Sequence, residues 1–454
     1  MPSLNLKHHS AIILHLTHPS LQYHSVIQAR GCVKNYHWGK VDADSYVAVF
    51  ERANQQDSNK SSKTNGTNAN GIVKVPKAEL WFGSHPSGPA TLILGDDHIR
   101  LNDFLAKKPE MVGVVGHYFK YNKQLPFLFK ILSVAEPLSL QAHPDIKLAS
   151  VLHQKDPKNY PDANHKPELA IALTEFEVLC DFRSHREILS FMGAIPMFQK
   201  VVGKNNYEVY LKSIEKNLPS DKQRAALGAC FRSLMTQEKD KIASEIKSFL
   251  LDPQYCTVID KALFKLIVKL YKLYPGDPGV FAPLFLNYLK LQPGQAVYLK
   301  ANKLHAYIEG ECIECMACSD NVVRAGLTTK FRDVETLINM LDYEPVDNAH
   351  DILLQPTKHR DDLMVESFAP TDEFKVDKIV VECKENLPDG DYVLPAKLSG
   401  SFFIVLSGKA TTTDFLDVRL MHKLSRGSAG FIPPKIAIKL HDIKVPLTIY
   451  RAYC

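Results

Sequence analysis

The spacing of hydrophobic side chains changes twice along this chain, and that change limits what it can fold into. From about Ile27 to Cys180 the apolar residues come in short runs such as Leu125–Leu132 and Glu168–Leu173, bounded by Pro, Asn or charge, which is the pattern of strands. From about Ser184 to Tyr274 the period becomes helical: Leu227, Phe231 and Leu234 recur on one face, then Ile242, Ile246 and Phe249, then Leu263, Leu266, Ile267 and Leu270. Ser220 followed by Gln223 reads as a capping box at the start of one of these helices. After Pro275-Gly276-Asp277-Pro278 the strand pattern returns and continues to Cys454. The expectation is a mainly β protein, with a helical insertion in its first β unit and a second β unit after it. The length of 454 residues fits this, since ~100–200 residues per domain gives two to four domains.

An internal similarity supports two β units. Leu291-Gln-Pro-Gly-Gln-Ala-Val-Tyr-Leu299 resembles Leu424-Ser-Arg-Gly-Ser-Ala-Gly-Phe-Ile432, with Gly294 matching Gly427, Ala296 matching Ala429 and Tyr298 matching Phe431. Each reads as a turn leading into a strand of a β-barrel or jelly roll. In the same register His305 falls opposite Ile438, so the second unit lacks the histidine and chemistry is expected in the first alone.

That histidine belongs to a set picked out by strand parity. In Leu138-Ser-Leu-Gln-Ala-His-Pro144 the polar residues Ser139, Gln141 and His143 share one face of an extended segment. Lys166 and Glu168 share a face in the next run, as do His305 and Tyr307 further on. Buried polar groups without partners cost ~1–3 kcal/mol each, and a metal ion would satisfy several at once. Gln141, His143, Glu168 and His305 offer nitrogen and oxygen ligands suited to Zn²⁺ or Fe²⁺. Lys130 lies in an otherwise apolar strand. Desolvation there would depress its pKa and make it a base or relay, while a salt bridge to Glu79 or Glu168 is the alternative. Cys312, Cys315 and Cys318 lack the fourth cysteine of an iron–sulfur run, so packing is the expected role.

These residues lie in long motifs: Tyr36-His-Trp-Gly-Lys40, Ala78-Glu-Leu-Trp-Phe-Gly-Ser-His-Pro86, Leu125-Pro-Phe-Leu-Phe-Lys130, Ser139-Leu-Gln-Ala-His-Pro144, His165-Lys-Pro-Glu-Leu169, and His305 through Gly326. On them the chain, from about Ile27 to Cys454, resembles the type I mannose-6-phosphate isomerases (phosphomannose isomerases). The resemblance implies a cupin-like catalytic jelly roll over 27–183 and 275–345, a helical domain over 184–274, and a second, metal-free jelly roll over 346–454. It implies one Zn²⁺ per chain on Gln141, His143, Glu168 and His305. It also implies interconversion of mannose 6-phosphate and fructose 6-phosphate through a cis-enediol, the entry to GDP-mannose and glycosylation. Arg324 falls in the catalytic position, with Glu314, Lys130 and Lys166 as further catalytic candidates. Trp38, Ser139, Tyr307, Asp320 and Lys330 are the substrate-binding candidates. The ligand set alone also permits an Fe²⁺ cupin dioxygenase, and an inactive sugar-phosphate-binding cupin is the third reading.

The rest of the sequence narrows the setting. A net charge of +5 is too weak over this length to argue for nucleic acid or a membrane surface. No run approaches the ~18 apolar residues of a membrane span. Nine cysteines at low density suit a reduced, cytoplasmic protein. Residues 1–26 are expected to form a disordered extension, and the Asn- and Ser-rich stretch 52–72 a surface loop. The expected partner is a small sugar phosphate, and the expected state a monomer.

Overall fold

The structure, a computed structural model, describes residues 26–56, 75–114, 123–252, 254–359, 362, 364–413 and 421–454. The expected extension over 1–26 lies outside these residues apart from Val26, and so does 57–72 of the expected loop. Residues 52–56 are a correction: they complete the helix Tyr46–Gln56, whose Val47, Ala48 and Phe50 are buried and carry the helix on.

The protein is mainly β, with two large sheets and a run of helices, as the two changes of period predict. The first sheet is organised on the strand His305–Ala317. Its second half pairs antiparallel with Phe127–Val134 on one side and Glu168–Ala172 on the other. Its first residues pair instead with Phe176–Arg183 and Leu140–Ala142. The change of partner falls at Gly310, where φ is +114° and a Cβ would collide with the Glu175 carbonyl, so the bend requires glycine. The bend lies between His305 and Glu314 on this strand.

The helices from His185 to Leu273 leave the first sheet after Phe176–Arg183 and return to it at Leu286–Leu291, and these two strands pair with each other. The hydrophobic positions expected at 227–270 are buried. They share a core with Leu140, Ala142, Ala306, Val323 and Ala325, the backs of the strands whose fronts carry the polar set. Burying each Leu- or Ile-sized side chain contributes ~1.5–3 kcal/mol, so the helices hold these strands firmly from behind. The helix Lys261–Leu273 is capped by Asp260, which accepts from the Ala262 and Leu263 N–H groups. The expected box at Ser220 does not form. Pro219 occupies the cap position, Ser220 is the first helical residue, and Gln223 donates back to the Leu218 carbonyl instead.

The second sheet is built on the long pair Ser401–Thr413 and Ile438–Tyr453. Three strands from the start of the chain complete it: Ile27–Arg30 pairs with Ala429–Ile432 and with Thr91–Leu94, and Thr91–Leu94 pairs with Asp97–Arg100. One apolar cluster joins the two sheets, with Phe82 against Phe402 at 5.8 Å between centroids. The internal repeat is visible in the backbone. Gly294 and Gly427 have φ of +91° and +93°, and each precedes a short strand, Ala296–Leu299 or Ala429–Ile432. His305 and Ile438 are both the first residue of the long strand that follows. Cys312 and Cys315 are buried in different apolar clusters, so they pack rather than share a metal. No helix among the described residues is long and apolar enough to cross a membrane.

Candidate metal centre and sugar-phosphate cavity

His143, Glu168 and His305 come from three separate stretches of chain, yet their ligand atoms all lie within 4.8 Å of one another. Among the described residues this is the one such cluster of three or more. All three are buried. The Glu168 Oε2 atom is 3.3 Å from His143 Nε2 and 3.5 Å from His305 Nε2. The other nitrogen of each ring faces a carbonyl, His143 Nδ1 at 2.8 Å from Asn321 O and His305 Nδ1 at 3.0 Å from Lys303 O. An imidazole that donates from Nδ1 presents a lone pair at Nε2, the form a metal requires.

His143 Nε2 and Glu168 Oε2 are buried without a hydrogen-bond partner. Two convergent, orphaned acceptors are costly in a dry interior and fit a divalent cation. Burial pushes the His143 imidazole down to about 4, which keeps it neutral. Burial alone would raise Glu168, but the Lys166 ammonium 3.0 Å from Oε1, then His143, hold it well below the usual carboxylate range. Gln141 stands directly opposite His305 on the neighbouring strand, with its carboxamide nitrogen 3.4 Å from His305 Nε2. Its oxygen accepts from Ser139 Oγ, and an amide flip would bring that oxygen round to the ligand cluster.

Above the cluster opens a cavity of about 230 Å³. Gln141, Glu168, Lys130, Lys166, Glu314 and Arg324 line it, together with Trp38, Ser139, Tyr307, Asp320 and Lys330. His143 and His305 lie behind this lining. The structure therefore gathers every candidate at one place.

Individual environments differ from the expectation. Lys130 is not a depressed base. Burial alone would lower its pKa, but Glu314, with Oε2 at 2.8 Å, and Glu79 at 3.6 Å outweigh that and raise it. The salt-bridge alternative is what forms, to Glu79 and also to Glu314. Glu314 is itself raised, chiefly by burial. Burial likewise raises Tyr307, whose ring meets Phe176 edge-on. Trp38 is mostly buried and stacks on Tyr36. Asp320 sits at the rim beside His85 and Ser87.

Arg324 and Lys330 stand apart. No carboxylate of the described residues lies within ion-pair distance of either, whereas Lys130 and Lys166 are both paired. Burial lowers the pKa of each, and Arg324 adds to the lowering at Lys330. Two unpaired cations at one wall of a cleft make a site for a dianion.

Supporting residues escaped strand parity because they lie on loops. Asp162 accepts from Ser319 Oγ, the Asp320 N–H and Asn321 Nδ2, and Asn321 supplies the carbonyl behind His143. His165 donates to Glu373, in the bend just before the second-sheet strand Lys375–Val381, with Nε2 2.8 and 2.9 Å from its two oxygens. Only the neighbouring motifs could have hinted at these partners.

Comparison with known proteins agrees with this geometry. The catalytic-domain model of type I phosphomannose isomerase matches residues 26–185, and its helical-insertion model residues 201–286. A Rattus norvegicus mannose-6-phosphate isomerase is 38% identical over 93% of this chain and 97% of its own length. The Homo sapiens protein of that name is 37% identical with the same coverage. A crystal structure of the Salmonella typhimurium mannose 6-phosphate isomerase, bound to fructose 6-phosphate and zinc, aligns with a TM-score of 0.74 at 27% identity, over 95% of this chain and 99% of that one. With both domain models matched, and relatives covered over nearly their whole length, the chain belongs to the type I phosphomannose isomerase family.

Proposed function

We propose that this protein is a zinc-dependent aldose–ketose isomerase that interconverts D-mannose 6-phosphate and D-fructose 6-phosphate. The observation that carries the reading is one cavity lined both by Glu168, the carboxylate of a buried two-histidine, one-carboxylate cluster, and by two cations with no carboxylate partner among the described residues. Neither an Fe²⁺ dioxygenase nor an inactive binding module accounts for both halves. We also infer that Gln141 completes the ligand set, that the sheets are cupin-like jelly rolls divided at 27–183 with 275–345, 184–274 and 346–454, and that the enzyme is a cytoplasmic monomer supplying mannose for GDP-mannose. The internal repeat, the interposed helices and the cysteine content support that reading.

In the open-chain aldose the carbonyl is at C1 and the proton to be moved is on C2. Removing it gives a cis-enediolate. Returning that proton to C1, while the O2 hydroxyl proton passes to O1 and O2 becomes the carbonyl, gives the ketose. His143, Glu168 and His305, with Gln141, would hold a zinc ion, which would supply Lewis acidity to the sugar carbonyl. Glu314 is the carboxylate we assign to the proton, because it lines the cavity within reach of a sugar and burial raises its pKa above the usual carboxylate value. Lys130 holds that carboxylate in place. Lys166 orients Glu168. Arg324 and Lys330 hold the phosphate and the developing negative charge, with Ser139 and Asp320 at the rim and Trp38 and Tyr307 walling the sugar.

The test is purified protein with mannose 6-phosphate and coupled detection of fructose 6-phosphate, with and without a chelator. Turnover that stops on chelation and returns with zinc is expected. A folded sample with no metal-dependent turnover would refute the assignment.

A further inference from the structure

The segment from Leu327 to Asp333 begins in one wall of the cavity, which Leu327, Thr328, Thr329 and Lys330 line. It has no regular secondary structure, so something else must fix the ammonium. Its far end is pinned conventionally. The Asp333 N–H donates to the Arg324 carbonyl, and the Asp333 carboxylate accepts from Tyr160 and caps the helix Val334–Met340.

Its near end is pinned by a residue from another part of the chain. Asp277 lies just after the helices, where the chain turns back towards the first sheet. Its Oδ1 accepts from the Gly279 N–H at 2.8 Å and from the Leu327 N–H at 3.0 Å, and its Oδ2 lies 3.4 Å from Arg332 Nη1. One carboxylate thus holds both the start of the segment and the residue two beyond Lys330. Space for it is built in. A Cβ on Gly326 would lie 2.7 Å from Asp277 Oδ1, and one on Gly279 2.9 Å from it. Leu327 itself is held at φ +52°, a left-handed conformation that a leucine adopts only when its surroundings impose it.

We propose that Asp277 is a positioning residue for phosphate recognition: it fixes the segment 327–332, and through it Lys330, relative to Arg324. The inference rests on the assignment of Lys330 as a phosphate contact. It gives the junction between helices and sheet a part in substrate affinity rather than in the chemistry.

The test is steady-state kinetics of the zinc-loaded, full-length enzyme with mannose 6-phosphate, alongside competitive inhibition by inorganic phosphate. Asp277→Ala is expected to raise KM and the inhibition constant together by about tenfold, with kcat little changed. Asp277→Asn keeps an oxygen for both N–H groups and is expected to restore most of that affinity. Gly326→Ala, which crowds Oδ1 without touching the carboxylate, is expected to reproduce the KM effect. Lost thermal stability in Asp277→Ala and Gly326→Ala, with unchanged KM and phosphate inhibition, would overturn the proposal. Lys330→Ala separates the two levels. If it weakens phosphate inhibition while the Asp277 variants do not, only the positioning role fails. If it leaves phosphate inhibition unchanged, the phosphate assignment fails and the positioning role with it.

Discussion

Lys130 and Glu314 face each other in register on adjacent antiparallel strands, Nζ 2.8 Å from Oε2, with the Trp81 ring 5.0 Å from the ammonium. Both side chains are almost fully buried, and Glu79 is the second carboxylate on the same lysine. Glu314→Gln leaves Lys130 with one carboxylate and removes the assigned base. It is expected to lower kcat by about 10²–10⁴-fold, as loss of a general base does, with zinc content unchanged. Lys130→Met instead leaves two buried carboxylates without their cation and is expected to cost about 3–5 kcal/mol of stability in urea unfolding. A stable Lys130→Met protein would show that the pair contributes little to the fold.

Arg324 has no ion partner among the described residues, so truncating it leaves no orphaned charge behind. Arg324→Ala is expected to fold normally, to bind zinc at full stoichiometry, and to lose about 10²–10³-fold in turnover, the scale for one electrostatic donor in an active site. Loss of zinc from this variant would contradict the division of labour between the cluster and the cation wall.

The metal ligands behave differently. His305→Ala is expected to lose both zinc and activity, read by metal analysis of the purified protein. Lys166→Met keeps every ligand but frees Glu168 Oε1 and is expected to weaken zinc affinity by about 10–100-fold, the usual effect of removing an outer partner of a metal ligand. Full zinc occupancy in His305→Ala would remove that residue from the ligand set.

Glu373, two residues before the second-sheet strand Lys375–Val381, meets His165, three residues before Glu168. Glu373→Gln weakens the two-oxygen contact. A cycle with His165→Gln is expected to show a coupling of about 0.5–3 kcal/mol in stability. Additive effects would mean that the contact does not join the two sheets energetically.

Strand parity sorted the polar fronts from the apolar backs at 138–143 and 305–308 because a strand's two-residue period is local information. The helical period at 227–270 was legible for the same reason. Parity could not show that these strands meet, since their pairing depends on the bend at Gly310 and on the helices packed behind them. The capping box at Ser220 was misread because Pro219, already extended, takes the cap position. The sequence leaves Lys130 open between a depressed base and an ion pair with Glu79 or Glu168, because desolvation can be inferred from a run of apolar neighbours, whereas Glu314 arrives from a distant strand. Asp162, Asn321 and Asp277 carry no periodic signal, being loop residues whose partners lie elsewhere in the chain.

The strand Ile27–Arg30 pairs with Ala429–Ile432, nearly the whole described chain downstream. On the ribosome, one edge of this strand can pair early with Thr91–Leu94, but the other must wait for almost the last strand. Until then that edge stays unpaired. The catalytic sheet can assemble earlier from 127–317, but the apolar cluster it shares with the second sheet closes late. Pairing over so long a sequence distance is the kind that slows folding, and damage near residue 430 reaches the strand Ile27–Arg30 as surely as the strands beside it in sequence.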